Sequence, residues 1–269
     1  MTTRMTAQRL SRLIAEGDLE GVRAAVRSQP RLLTTRVERA GEDGWTALHL
    51  AVAAGAPAVV EVLVAAGADL SAATEGGRTP LHVALQQAPD LVGLLRGLGA
   101  PVDAASAAYL GDVDRLAGEL DAGAQLTDPA TEVDLLTWAA SGGALASVHL
   151  LLDRGADPDA GALHAAAATG RPQVVERLLA AGADVDRRDR DTGRTALHEA
   201  VDAASDGDVP AVVRLLLAAG ADVNATTNDG ASALDICRVA AARRRGTRAG
   251  RRPDAEALTE LLVAAGARD

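Results

Sequence analysis

The chain has 269 residues, 48% of them hydrophobic but only 1% aromatic, with no Phe and a formal net charge of -10. A single globular core of this size normally uses more large aromatic side chains, which argues against a sandwich or a large α/β domain and for thin layers of Ala, Leu and Val. Residues 41–237 hold 29 acids against 11 Arg, which makes this stretch a poor candidate for gripping nucleic acid by neutralising phosphates.

Residues 1–40 are expected to form an N-terminal capping pair of helices. The run from Ala7 to Leu33 splits at Gly17-Asp18, with Leu10, Leu13 and Ile14 on one stripe and Val22, Ala25 and Val26 on the other. Arg9, Arg12, Arg23 and Arg27 lie between them, as a terminal face turned to water requires. Trp45 to Asp69 then reads WTALHLAVAAGAPAVVEVLVAAGAD. Thr46 caps a short helix carrying Leu48, Ala51 and Val52. Gly55 breaks it, and Pro57 opens a second helix where its missing N–H is no loss. Val59, Val60, Leu63 and Val64 form the stripe of that helix, which stops at Gly67. Such a hairpin is too small to bury its own stripe and needs neighbours.

The neighbours follow as variations. Thr-Pro-Leu-His stands at Thr79 to His82, Thr-Ala-Leu-His recurs at Thr195 to His198, and Ala-Leu-His occupies Ala162 to His164. Gly-Ala-Asp closes the units at Gly67, Gly155, Gly182 and Gly220, with looser Gly-Ala copies at Gly99, Gly123 and Gly266. The interval from Gly99 to Gly123 is short and lacks the Thr-Pro-Leu-His start and most of the preceding turn. The interval from Gly155 to Gly182 is trimmed in the same place. Extra residues stand near Ser205 to Asp208, and AARRRGTRAGRRPD is inserted in the last unit before a closing helix, Ala255 to Ala265.

By these tetrapeptides and their spacing of about 33 residues, the chain resembles the ankyrin repeat family over nearly its whole length from Ala7 onward. The resemblance implies an all-α solenoid of stacked helix–turn–helix units with short β-turn fingers. Residues 41–227 would hold six repeats, the third shortened, and 228–269 a C-terminal repeat with the Arg-rich insertion at 241–254. It also implies that His49, His82, His164 and His198 are structural, and that finger tips and the first-helix face bind a partner on a concave surface. Mapped through the motif, the finger residues include Glu42, Asp43, Trp45, Glu75, Arg78, Asp191, Arg194, Asn228 and Asp229. The first-helix set includes Gln86, Gln87, Trp138, Ser141, Glu199 and Asp202. Trp45 sits at a variable finger position, so its ring either binds or fills a gap at a repeat junction. Trp138 stands where Leu50 and Val83 stand, which favours packing.

The remaining residues give little chemistry. His149 lies mid-helix with Asp153 four residues on, a pairing expected to be a solvated surface one. No Gly-rich phosphate loop, Gly-x-Ser-x-Gly or cysteine cluster is present, so neither catalytic residue, metal nor cofactor is expected. Cys237 is the single cysteine, the pattern of a reducing compartment. With no N-terminal apolar segment and no membrane-length run, a cytoplasmic protein is expected. All 27 cations are Arg, which reads as codon usage. The expected function is that of a non-catalytic scaffold or regulator, a monomer whose acidic concave face takes a protein with a basic surface. Nucleic acid would enter only through Arg243 to Arg252, a solvated loop or a basic arm. The alternative is an enzyme with a pocket near the irregular third and fourth repeats, where Tyr109, Trp138, Asp134 and His149 would be examined first.

Overall fold

The computed structural model describes residues 6–203, 207–245 and 254–268. Ser205, Asp206 and residues 246–253 of the Arg-rich insertion therefore lie outside the described residues, as do the side chains of Arg243, Arg244 and Arg245. Among the described residues the chain forms helical hairpins. In order they pair α1 (Ala7–Glu16) with α2 (Leu19–Ser28), α3 (Ala47–Ala53) with α4 (Pro57–Ala65), and α5 (Pro80–Gln87) with α6 (Val92–Gly97). Then come α7 (Ala104–Leu110) with α8 (Val113–Asp121), α9 (Leu135–Gly142) with α10 (Leu145–Asp153), and α11 (Ala162–Ala168) with α12 (Pro172–Ala180). The last are α13 (Ala196–Asp202) with α14 (Val209–Ala218) and α15 (Ala233–Arg245) with α16 (Asp254–Ala264). Strands β1 (Val37–Arg39) and β2 (Glu42–Trp45) pair antiparallel with Val37 opposite Trp45.

The chain divides into two compact units, one taking in residues up to Ser106 with Pro129–Glu132, the other Ala107–Asp128 and Val133 onward. In the first, α3 packs between α1 and α5 while α4 packs on α2. In the second, α9, α11, α13 and α15 follow one another in contact, and α8, α10, α12, α14 and α16 form a second row. Within each unit a hairpin thus lends its neighbour the apolar surface it lacks. Leu48, Leu63, Leu81 and Leu95 are fully buried in the first unit; Leu116, Leu136, Leu151, Leu178 and Leu197 are in the second. Each such leucine contributes about 1.5–3 kcal/mol of burial.

Local chemistry explains the recurring words. Thr46, Thr79 and Thr195 are N-caps whose oxygen and backbone N–H exchange bonds with the histidine three residues on, a capping box with imidazole in place of the usual Glu. The Asp of Gly-Ala-Asp accepts the N–H two residues later, as at Asp69, Asp157, Asp184 and Asp222. The residue so held reaches the next turn: Asp159 accepts Asp184 N–H at 2.7 Å, Asp186 accepts Asp222 N–H at 2.9 Å, and Asn224 accepts Arg268 N–H at 2.9 Å. Gly67 takes φ +95° after the helix, the left-handed cap that only glycine adopts cheaply.

Candidate protein-binding fingers

In the first unit the fingers are the β1–β2 hairpin and the turn Thr74 to Thr79. They are joined backbone to backbone, Glu75 N–H donating to Asp43 O at 3.0 Å. Gly44, at φ +89°, makes that approach possible, because a Cβ there would stand 2.7 Å from Glu75 N. Glu42 is the hub. Its carboxylate accepts from Thr74 Oγ1, from the Arg78 guanidinium, and from Trp45 Nε1 at 3.1 Å. Trp45 is only 2% exposed. Arg39 lies 4.8 Å and Arg78 5.4 Å from its ring centroid, and His49 meets it edge-on at 5.9 Å. Burial and the charge of Arg39 press the Arg78 guanidinium below its ordinary range.

The choice left open for Trp45 is thereby decided for packing, a correction to its place among the contact residues. The ring fills the junction of two fingers, where cation–π attraction holds it. Trp138 is likewise buried, at 3%, with Tyr109 edge-on at 6.3 Å. Of the other sequence-derived contact residues, Asp43, Glu75, Gln86 and Gln87 are exposed, while Glu42 and Arg78 are half-buried and committed to each other.

In the second unit a finger runs from Asp189 to Arg194. Its shape comes from Asp189, whose carboxylate accepts from Thr192 Oγ1, Thr192 N–H and Asp191 N–H. Those bonds hold Asp189 below the usual carboxylate range. Burial works against the Arg194 charge, but Asp202 at 2.6 Å and Glu199 at 3.2 Å outweigh it and raise its pKa. Asp191 stays exposed at the tip. The next finger is joined to this one by Asn228 N–H donating to Thr192 O at 2.9 Å and Asn228 Nδ2 to Asp191 O at 2.9 Å. Two hollows flank the Asp189–Arg194 finger. The larger, about 680 Å³, lies over α11 with Gly161, Ala165 and Ala168 lining it; the other, about 430 Å³, reaches toward Asn228 and Ile236.

Of the motif histidines, His49, His82 and His198 are tied into the fold through the ring. His49 Nε2–H donates to Arg78 O at 3.0 Å and His198 Nε2–H to Ala225 O at 3.1 Å, each with Nδ1 held by its own Thr. Burial lowers both imidazoles from the ordinary histidine range. His82 instead bonds the Asp103 carboxylate at 3.1 Å, and that same carboxylate accepts Ser106 N–H at 2.8 Å. Burial pushes Asp103 up, but these bonds and the His82 charge prevail and hold it at about 2. Asp103 was not singled out in the sequence; its place at the start of α7, where other hairpins have Thr, was the available signal.

Of Tyr109, Trp138, Asp134 and His149, only Asp134 borders either of these two hollows. Asp134 borders the larger hollow and accepts Thr127 Oγ1 at 2.6 Å, whereas His149 is exposed on α10. That hollow stands mainly at the trimmed α11–α12 hairpin; of the third and fourth repeats, where the sequence placed the alternative pocket, it takes in only Asp134. His149 and Asp153 are both exposed, and no hydrogen bond joins them among the described residues. Cys237 is buried and 3.7 Å from Thr259 Oγ1. Among the described residues no helix is long and apolar enough to cross a membrane.

Paired helices joined by capped turns, with fingers bonded edge to edge, define a helical repeat protein. The ankyrin repeat pattern matches in three copies over residues 10–106 and 136–227, and the chain belongs to the ankyrin repeat family. Protein phosphatase 1 regulatory subunit 27 of Mus musculus is 40% identical over 94 residues, 35% of this chain and 58% of that protein. The protein of the same name in Homo sapiens is 40% identical over 92 residues, 34% and 57% respectively. The E3 ubiquitin-protein ligase hecd-1 of Caenorhabditis elegans is 43% identical over 76 residues, 27% of this chain and 3% of the ligase. The chain therefore spans little more than half of the phosphatase subunits and a small part of the ligase. Family membership carries a protein-binding role and points away from an enzyme.

Proposed function

We propose that this chain is a non-catalytic scaffold or regulator whose fingers take a partner protein with a basic surface. One observation carries the reading. Among the finger arginines, Arg78 and Arg194 are neutralised by Glu42 and by Glu199 with Asp202 and Arg39 lies over the Trp45 ring, which leaves Arg190 against the exposed Asp43, Glu75 and Asp191, none of the four in an ion pair among the described residues. The charge left unmatched at these tips is negative, and a basic surface is its complement. The name regulatory subunit, carried by two relatives, supports binding that modulates another protein. In this reading residues 1–40 are the cap, 41–227 the repeats and 228–269 the closing repeat.

The test identifies the partner by affinity capture, then measures purified partner against wild type and an Asp43→Lys, Glu75→Lys, Asp191→Lys variant. Affinity is expected to fall about tenfold or more in the variant and to weaken with salt. Equal affinity for both, unchanged by salt, removes the charge-led reading.

A further inference from the structure

The larger hollow exists because a finger is missing. Thirteen positions separate Gly182 from the helix cap Thr195, but only six separate Gly155 from the cap Gly161. Small residues, Gly161, Ala165 and Ala168, leave the space unfilled. Two groups with no partner among the described residues belong to its lining.

The first is His164. Its Nε2–H donates to Arg194 O at 3.1 Å, and a carbonyl can only accept, so Nδ1 is the bare acceptor of the ring. In His49 and His198 that nitrogen is held by a Thr at the cap. Here the cap is Gly161, and Nδ1 takes no hydrogen bond among the described residues. The second is Arg190 N–H. Thr74, Asp189 and Thr227 each close their own finger by donating to Arg78 O, Arg194 O and Ala231 O, which aligns the residues after them. Glu75 N–H and Asn228 N–H donate to the finger before, at Asp43 O and Thr192 O. Arg190 N–H has no finger before it and no partner among the described residues. Five carboxylates and three arginines line the hollow, and one of the three, Arg188, is bound to Thr226 O at 2.5 Å.

We infer that the hollow over α11 is a subsite for a loop of the partner protein that stands in for the absent finger. A backbone carbonyl of the loop accepts Arg190 N–H, and an Arg or Lys side chain donates to His164 Nδ1 and to the carboxylates of Asp159, Asp189 and Asp191. A bare imidazole acceptor among carboxylates calls for a cationic donor, which sets the chemistry of the inserted side chain. The inference rests on the protein-binding reading above and gives it a place.

The full-length protein is titrated with N-acetyl-arginine methylamide and with N-acetyl-glutamate methylamide, while NMR follows the His164 ring and the Arg190 amide. The arginine probe is expected to shift both signals and the glutamate probe neither. Ala165→Arg, which plants a guanidinium in the hollow, and Asp191→Arg should each raise the Kd of the arginine probe about tenfold or more, with circular dichroism as the control of fold. Should one variant unfold, the other decides. Equal response to both probes, shifts confined to Asp43 and Glu75, or an unchanged Kd in a folded variant overturns the subsite. Partner binding that persists while this titration fails sinks the subsite alone. A working titration with no protein partner found would instead sink the protein-binding reading.

Discussion

The chain drops a finger twice, ahead of α7 and ahead of α11, and the two losses are made good differently. Ahead of α7 the buried His82 ring would lose the carbonyl that His49 finds in the following finger. Asp103 supplies a carboxylate instead, while also capping α7 through Ser106 N–H. Ahead of α11 the helix position held elsewhere by histidine is Thr137, and its shorter hydroxyl reaches Ala160 O at 3.0 Å. There the contact is restored but the space beyond it stays open. A fully buried ring demands a partner from within the chain. The half-buried His164 can be served by water, so nothing forces its hollow to close.

If only fingers were lost, the cores upstream of both losses are intact. Leu95→Ala in α6 and Leu151→Ala in α10, both fully buried, should each cost about 2–5 kcal/mol in chemical denaturation. A cost under about 1 kcal/mol at either site would mean the loss reaches the helices. Next in size, His82→Ala should cost about 1–3 kcal/mol, since it strands the Thr79 cap and Asp103. His164→Ala should cost under about 1 kcal/mol, and the reverse order breaks the contrast.

Acid sharpens it further. Asp103 is held at about 2 against an ordinary 3.8, so its contribution is complete above pH 3.8 and disappears as pH falls through about 2. Asp103→Asn should flatten the stability curve in that window. His49 and His198 act earlier. Their lowered pKa values mean that the unfolded chain takes up protons first, so stability declines as pH falls below 6.5. The smallest stability effects belong to the tips, where Asp43→Lys and Asp191→Lys should stay within about 0.5 kcal/mol while weakening partner binding.

The frame of the fold was legible because its signals are local. Thr46, Pro57 and Gly67 act as caps and breaks wherever they stand, and the structure uses them so. The trimming before α7 and α11 was also visible as short glycine intervals. What replaced the lost contacts was not, because His82 with Asp103 and Thr137 with Ala160 are pairings about twenty residues apart that spacing does not announce. Trp45 misled for a related reason. A lone aromatic at a variable position looks like a contact, but Arg39, Glu42 and Arg78 close around it only once two fingers meet.

Trp45 lies in one compact unit and Trp138 in the other, and the protein has no third tryptophan. Each half of the molecule thus carries its own built-in fluorophore, shielded from solvent. Replacing one indole at a time would let emission report the melting of each half separately, and show whether the chain comes apart in one stage or two.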